Sequence, residues 1–170
     1  MDSEINGPID EISRKILREL QKDARMSFAE LGRLVGLSPA ATAERVRRLE
    51  DQGIIRGYRV DIDPRALGYS VMVFTLMVCE GEKYKQFVAF IKTVDAIREC
   101  YHITGSSDLI IKILARSIEE LDSILRKFLI YGSPKSNVVI ADLLVRTDYD
   151  VDPPKPTKHY GVVQDTIRLG

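Results

Sequence analysis

Residues 37–55 read LSPAATAERVRRLEDQGII and have the marks of a short helix with a defined start and end. Ser38 is a favoured N-cap residue, because its hydroxyl can accept a hydrogen bond from a free N–H group of the first turn. Pro39 suits the first helical position, where no N–H is needed. Gly53 indicates the end, since glycine readily takes the left-handed conformation that closes helices. The stretch therefore predicts a helix that runs to about Gln52.

Two more helices are predicted before this one. Asp10 suits the N-cap of the first, and Ser27 with Glu30 forms a capping box at the start of the second, which ends near Gly36. Only the residues GL then separate the second helix from the cap of the third. A longer helix followed by two short helices across a tight glycine-containing turn is typical of a helix-turn-helix domain. The apolar stripe of the first helix consists of Ile9, Ile12, Ile16, Leu17 and Leu20.

The hydrophobic period changes after residue 69 from that of helices to that of strands. Strand-like runs lie at residues 70–79, 97–104, 109–115 and 136–145, and amphipathic helices lie at residues 84–94 and 117–132. The order β-α-β-β-α-β predicts a ferredoxin-like domain. We therefore expect an α+β protein with an N-terminal three-helix winged helix-turn-helix domain and a C-terminal ferredoxin-like βαββαβ domain.

This order also sets the expected domain limits. Residues 1–56 should form the helical domain, and residues 69–147 should form the second domain. Between them, residues 57–68 are predicted to be a linker strand, because the stretch IIRGYRVDID alternates in a strand-like way. Residues 148–170 form a C-terminal tail, in which three closely spaced prolines predict a stiff spacer.

The first predicted strand, SVMVFTLMVC, is apolar on both faces. A sheet with one solvated face should instead alternate apolar and polar residues. The two helices of the domain can cover only one face, so we expect the other to pack on the sheet of a second subunit in an obligate dimer. The two faces hold Val71, Val73 and Thr75 on one side and Met72, Phe74, Leu76 and Val78 on the other.

The charge is balanced overall but uneven locally. The 170 residues have a net charge of +0, which argues against a non-specific coat for nucleic acid. From Arg33 to Arg59, however, there are six arginines and three acidic residues, which gives 6 − 3 = +3.

The sequence shows neither an apolar run long enough for a bilayer nor a signal peptide, so a cytoplasmic location is expected. Cys79 and Cys100 are expected to be buried hydrophobes, and no metal site or cofactor is predicted.

The arginine-rich third helix has the pattern of a DNA-reading helix. At 100° per residue, the residues predicted to face the core are Thr42, Ala43, Val46 and Leu49. The opposite face has Ala40, Ala41, Glu44 and Arg48, and Arg45 and Arg47 flank it. Small residues allow close approach to a major groove, arginine can bind phosphate or guanine, and helix N-termini favour phosphate. The predicted DNA contacts are Ser27, Ser38, Ala40, Ala41, Glu44, Arg45, Arg47 and Arg48.

An ordinary solvated helix is the alternative. Glu44 and Arg48 are four residues apart, as are Arg47 and Asp51, so ion pairs could use up the charge. The helix-turn-helix context favours DNA binding over this alternative.

Two motifs in this order resemble the leucine-responsive/asparagine regulator family (Lrp/AsnC, feast/famine regulators). The first is residues 9–69, from IDEISRKILREL to DPRALGY, and the second is YHITGSSDLIIKI at residues 101–113. The similarity covers residues 8–147. It implies a sequence-specific transcription regulator that binds double-stranded DNA and a small effector, usually an amino acid. It also implies a homodimer that assembles further to an octamer, and coupling of the effector to DNA through assembly.

The resemblance further implies where the effector binds. Family members bind it near the turn between the second and third strands, which here is Thr104, Gly105, Ser106, Ser107 and Asp108. Gly105 lets backbone N–H groups approach a carboxylate, and Asp108 can accept hydrogen bonds from an ammonium group. A plain hairpin turn is the alternative reading of these residues. Family members supply further contacts, often threonines, from the segment GSPKSN, where this chain has Ser133, Ser136 and Asn137.

Two other functions fit the same architecture. Sirohaem decarboxylases resemble these regulators in both domains, but they need basic and histidine groups, and this chain has only His102 and His159. We expect His102 to be a packed or interface residue and the protein not to be an enzyme. The other alternative is an amino-acid sensor module that no longer binds DNA.

Overall fold

A computed structural model describes residues 9–152. Residues 61–145 form one compact unit, and the remaining described residues form another. The predicted proline spacer of the tail and His159 lie outside the described residues. None of the helices in residues 9–152 is long and apolar enough to cross a membrane.

The first unit contains three helices, α1 (Glu11–Lys22), α2 (Phe28–Val35) and α3 (Pro39–Asp51). All three predicted N-caps are confirmed: Asp10, Ser27 and Ser38 each accept a hydrogen bond from the amide of the third residue that follows. These bonds satisfy N–H groups that the helices themselves cannot pair. The buried apolar side chains between the helices are Ile16, Leu31, Val35, Val46 and Leu49.

The turn between α2 and α3 depends on close backbone contact. Gly36 ends α2 with φ 76°, a left-handed conformation that favours glycine. A Cβ on Gly32 would lie 2.6 Å from the carbonyl oxygen of Leu37 and 2.9 Å from Oγ1 of Thr42. Thr42 is fully buried, and its hydroxyl donates to the carbonyl of Ser38 at 2.9 Å. Glycine at residue 32 therefore lets α2 pack directly against the turn and the first turn of α3.

The second unit is the predicted ferredoxin-like domain. Its elements are β1 (Val71–Cys79), α4 (Lys83–Ile91), β2 (Ile97–His102), β3 (Leu109–Ala115), α5 (Ile118–Phe128) and β4 (Gly132–Val138). The strands form one antiparallel sheet in the order β2-β3-β1-β4. The fold class expected from the element order is confirmed.

One face of the sheet is covered by the two helices. Val73, Met77, Ile111 and Ile113 are fully buried there, against aromatic side chains of α4 and α5 that include Phe87. The two cysteines, which we expected to be buried, are half-buried free thiols at the border of this core. Their partial burial raises the pKa of both thiols.

The opposite face is apolar along β1 and β3, and none of the helices within residues 9–152 lies on it. The strand registers place Phe74 beside Lys112 and Leu76 beside Ile110 on this face, and Phe74 is 36% exposed. Near the edge, Lys112 forms a 3.0 Å ion pair with Glu99. We call this surface the open face. Its apolar residues on β1 and β3 are Met72, Phe74, Leu76, Val78, Ile110 and Leu114.

The last strand lies earlier in the chain than predicted. We expected it at residues 136–145, but β4 is Gly132–Val138, which is the GSPKSN segment itself. A Cβ on Gly132 would lie 2.0 Å from the carbonyl oxygen of Val78, so glycine is what allows this segment to enter the sheet beside β1. The more apolar residues 139–145 lie outside any strand and are largely exposed, with Ile140 98% exposed. Pairing with β1, rather than hydrophobicity, decides the position of this edge strand.

The linker strand is also absent from the described residues. Residues 54–63 belong to no sheet, and a short 3₁₀ helix, Pro64–Leu67, follows them. A strand needs a neighbour for its N–H and C=O groups, and no part of residues 9–152 pairs with this segment. The described part of the helical unit accordingly contains three helices and no strand, so the expected wing is not present in it.

Candidate functional site

The outward face of α3 is exposed and has small side chains at its start. As predicted, the four outward residues Ala40, Ala41, Glu44 and Arg48 are all exposed. Of the predicted inward residues, Thr42, Val46 and Leu49 are buried, whereas Ala43 is only half-buried. The helix therefore presents its first turn without bulky side chains. A surface of this shape can approach the floor of a major groove, with arginine able to bond to guanine or phosphate.

The caps of α2 and α3 add polar groups close to this face. Ser27 and Ser38 are exposed, and each hydroxyl oxygen accepts a 3.2 Å hydrogen bond from an amide of its own helix. Each hydroxyl proton can still be donated to a phosphate oxygen. The two serines combine with the positive ends of the helix dipoles, so both helix starts suit an anion.

Arg45 has a structural role that the sequence did not reveal. Its side chain is only 31% exposed, and Nη1 donates to Oδ2 of Asp10 at 2.5 Å and to the hydroxyl of Ser13 at 3.4 Å. The bond from Arg45 is the main reason that the pKa of Asp10 falls to about 2. Arg45 thus ties α3 to the start of α1, and its guanidinium is less available to DNA than we expected.

The other two arginines remain outward. Arg47 is exposed, and its ion pair with Asp51 is stretched to 4.0 Å. The Glu44–Arg48 ion pair of the solvated-helix alternative does not form among the described contacts. The guanidinium of Arg48 is therefore exposed and not paired with Glu44, as a DNA-contacting role requires.

The turn between β2 and β3 is held to the end of β1 through Asp108. Oδ2 of Asp108 accepts a 2.8 Å hydrogen bond from the backbone N–H of Cys79, and the Asp108 amide donates to the carbonyl of Met77 at 2.9 Å. The Asp108 carbonyl also accepts from the amide of Ile103 at 2.9 Å. One carboxylate oxygen is thus used inside the protein. This anchoring role depends on contact with a distant strand, and the turn sequence alone carries no signal of it.

The structure brings only part of the predicted effector set together. Ser133 pairs with Val78, at the end of the sheet that also carries the turn at residues 104–108. Ser136 and Asn137 lie farther along β4, on opposite faces of the sheet. The Ser136 hydroxyl is 2.9 Å from that of Thr75, a buried residue whose hydroxyl it satisfies.

A cleft of about 490 Å³ lies between α4 and β2, next to this turn. Its volume is in the range of small-molecule sites. His102 and Leu109, which flank the turn in sequence, line the cleft together with Tyr84, and the rings of Tyr84 and His102 lie 5.8 Å apart. His102 is exposed rather than packed. Lys92 and Arg98 line the cleft together with Asp95 and Glu99, so it combines apolar walls with charged groups of both signs.

A helix-turn-helix unit with an exposed small-residue face, joined to a ferredoxin-like unit with a polar turn and cleft, defines a two-domain ligand-responsive DNA-binding protein. Comparison with known proteins agrees. The AsnC-type helix-turn-helix domain matches residues 9–50, and the Lrp/AsnC ligand binding domain matches residues 72–144. The chain belongs to the Lrp/AsnC family and is a DNA-binding transcription regulator with a ligand-binding domain.

Individual relatives are regulators of the same kind. The chain is 35% identical over 135 residues to the HTH-type transcriptional regulator LrpC of Bacillus subtilis, which covers 79% of this chain and 94% of LrpC. It is 37% identical over 118 residues to the regulatory protein AsnC of Haemophilus influenzae, covering 69% and 79% of the two chains.

Solved structures support the fold. The structure of B. subtilis LrpC matches with a TM-score of 0.77 at 34% identity, covering 82% of this chain and all of that one. Escherichia coli AsnC matches with a TM-score of 0.78 at 31% identity, covering 84% and 99%. A Neisseria meningitidis regulator in complex with L-Met shares the fold, with a TM-score of 0.79 at 22% identity and coverage of 84% and 97%.

The bond between Asp10 and Arg45 predicts a specific acid dependence of stability. Because the folded-state pKa of Asp10 is about 2, below the ordinary value of 3.8, its charge stabilises the fold above about pH 4 and stops doing so as the pH falls towards 2. Asp10→Asn keeps the cap but removes the charge. Urea unfolding measures the free energy of unfolding of wild type and of Asp10→Asn. The wild type should be more stable by the largest amount near pH 6, and this difference should be lost as the pH falls to about 2.

Asp23→Asn is the control, since it removes a carboxylate at the other end of α1, outside this pair. A difference for Asp10→Asn that stays constant from pH 6 to pH 2 would contradict the role given to Arg45.

Proposed function

We propose that this regulator reads DNA with the exposed face of α3 and responds to an amino acid bound beside the β2–β3 turn, through a change in subunit assembly. The observation that carries the proposal is the exposed Ala40–Ala41–Glu44–Arg48 face on a helix whose opposite side is fully packed. Small residues reach base edges, and Arg47 and Arg48 bind phosphate or guanine. Arg45 supports this face by bonding to α1.

The open face supports a dimer. Phe74, Leu76 and Ile110 form its centre, and no part of the described chain covers them. Apolar area removed from water contributes roughly 25 cal/mol per Å², so a second copy of the same face is a matching occupant. The exposed apolar run at residues 139–145 adds surface of the same kind. Dimers that assemble further, to an octamer, would present several α3 helices to one DNA molecule, and avidity then offsets the low charge of each subunit.

The effector proposal rests on the turn and its neighbours. Backbone N–H groups around Gly105 can approach a carboxylate, and the second oxygen of Asp108 can accept from an ammonium group. Ser133 lies at the same end of the sheet. The related fold from N. meningitidis was solved with L-Met, which is an amino acid of this general form. Because Asp108 also bonds to β1, ligand contact at the turn can reach the strand that carries the open face.

Catalysis is not part of the proposal. The relatives are transcription regulators, and the only described histidine, His102, is exposed beside Tyr84 with no paired acid at hydrogen-bonding distance among the described contacts. A sirohaem titration followed by visible absorbance tests the enzyme alternative, since tight stoichiometric binding would favour it.

Replacement of the two outward arginines of α3 should weaken DNA binding. Arg47→Ala with Arg48→Ala should reduce affinity for a target selected from genomic DNA, by about 1 to 3 kcal/mol if Arg48 contacts a base. The slope of log K against log salt should become shallower by about 0.9 for each phosphate that the variant no longer neutralises. Fluorescence anisotropy over a salt series measures both.

Arg126→Ala, at an exposed position on α5, is the matched control and should leave both quantities near wild type. Arg45→Ala should also lower thermal stability, because it removes the bond to Asp10 at the start of α1. Neither the double variant nor Arg126→Ala should have this effect. Unchanged DNA affinity in the double variant would remove α3 as the reading helix, and would favour the sensor module without DNA binding.

A charge in the centre of the open face should break the dimer. Ile110→Glu places a carboxylate where the partner sheet is expected. Its neighbours on the adjacent strands, Leu76 and Tyr101, carry no positive charge, and an unpaired buried charge is strongly unfavourable. Sedimentation should show a multi-subunit species for the wild type at micromolar concentration and a monomer for the variant. Lys127→Glu, on the exposed surface of α5, should keep the wild-type mass. A wild type that is monomeric at micromolar concentration would contradict the proposed dimer.

Two substitutions at residue 108 should separate the charge from the anchoring bond. Asp108→Asn keeps an acceptor for the Cys79 N–H but loses the negative charge, whereas Asp108→Ala loses both. We expect both variants to lose affinity for the amino acid that binds the wild type best in calorimetry, and only the alanine variant to melt clearly earlier. If Asp108→Asn binds that amino acid as tightly as wild type does, the ammonium role is wrong.

A further inference from the structure

Residues 146–152 follow the matched ligand-binding domain and contact α1 in the helical unit. Three side chains of α1 receive them: Arg14, Arg18 and Gln21. These residues are spaced by four and three positions, so they lie on one face of the helix. The segment thus binds to one defined face of α1 within its own unit.

Gln21 recognises main chain rather than a side chain. Its Nε2 donates to the carbonyl of Tyr149 at 3.0 Å, and its Oε1 accepts from the amide of Tyr149 at 2.6 Å. One side-chain amide therefore satisfies both polar groups of one backbone residue. Two reciprocal bonds of this kind fix the position of the segment along α1.

Asp152 supplies the charge of the contact. Its carboxylate forms ion pairs with Arg14 Nη1 at 3.1 Å and with Arg18 Nη2. Hydrogen bonding from Arg18 lowers the pKa of Asp152, and the nearby Asp150 accepts a 2.9 Å hydrogen bond from the Asp152 amide. The segment RTDYDVD has three acidic residues and one basic residue, which gives 1 − 3 = −2.

The docked segment is connected to the proposed DNA-reading helix through α1. Asp152 pairs with Arg14, whose neighbour Ser13 is hydrogen-bonded to Arg45 of α3. The Asp152 carboxylate neutralises part of the positive charge that Arg14 and Arg18 give to α1.

We propose that residues 146–152 are an intramolecular docking segment that binds Arg14, Arg18 and Gln21 of α1 and so lowers the attraction of the helical unit to DNA phosphate. DNA and the segment then compete for the same two guanidinium groups. Binding to unrelated DNA sequence, which depends on phosphate contacts, is weakened more than binding to a target read by α3. This inference rests on the proposed function of α3.

The test uses the full chain and a double-stranded DNA of unrelated sequence as the probe. Asp152→Asn should undock the segment and raise affinity at low salt. The slope of log K against log salt should steepen by about 0.9 for each freed arginine that reaches a phosphate, so by up to about 2. Hydrogen exchange of the peptide that contains Tyr149 should be several-fold faster in this variant, because undocking also breaks the bonds to Gln21.

Asp148→Asn is the matched control, because it removes the same charge from the same segment and Asp148 pairs with neither Arg14 nor Arg18. It should change the salt slope and the exchange rate much less. Adding Arg14→Gln and Arg18→Gln to Asp152→Asn should return the slope to the wild-type value. The proposal is overturned if Asp152→Asn leaves the slope unchanged, or if both asparagine variants change it equally.

The selected genomic target and the unrelated duplex together separate this proposal from that for α3. If the double variant of Arg47 and Arg48 loses affinity for the target while Asp152→Asn behaves as wild type on the unrelated duplex, only the docking proposal fails. If the double variant binds the target as tightly as wild type, the role of α3 fails, whatever Asp152→Asn does.

Discussion

β1 is the strand on which the second domain depends, because both of its edges and both of its faces need partners. β3 and β4 satisfy its edges, and α4 and α5 bury the face that carries Val73 and Met77. No part of residues 9–152 covers the other face, where Phe74 and Leu76 lie. Burial of apolar surface drives association as well as folding, so a strand of this kind can contribute to both. In the proposed dimer, this one constraint on β1 would also determine how many α3 helices act together.

The sequence predicted those features that are set locally. N-caps, the glycine at the end of α2 and the period of each helix depend on residues a few positions apart, and all of them were found. The ferredoxin-like order followed from the alternation of periods. Prediction failed where distant segments decide the outcome. The position of β4 depends on how Gly132 fits against Val78, and an apolar run was mistaken for the strand.

The site shows the same division. The outward face of α3 could be predicted because helical geometry fixes it, but the bond from Arg45 to Asp10 joins residues 35 positions apart. Likewise the turn at residues 104–108 could be located from its composition and its family motif. The bond from Asp108 to Cys79 could not, since it needs the end of β1 to lie beside the turn. In both cases a side chain expected to contact a ligand also holds two elements of the protein together, so its replacement changes shape as well as recognition.

The exposed apolar segment at residues 139–145 has a consequence for the newly made chain. Ile140 and Leu143 are 98% and 95% exposed in the single subunit. Exposed apolar surface of this kind favours non-specific association with other proteins until a specific partner covers it. Stability gained only on association also depends on subunit concentration by mass action. With the proposed dimer, a cell that makes little of this protein would hold a larger fraction of it as single subunits. The rate of synthesis would then affect the regulator's behaviour, alongside any effector.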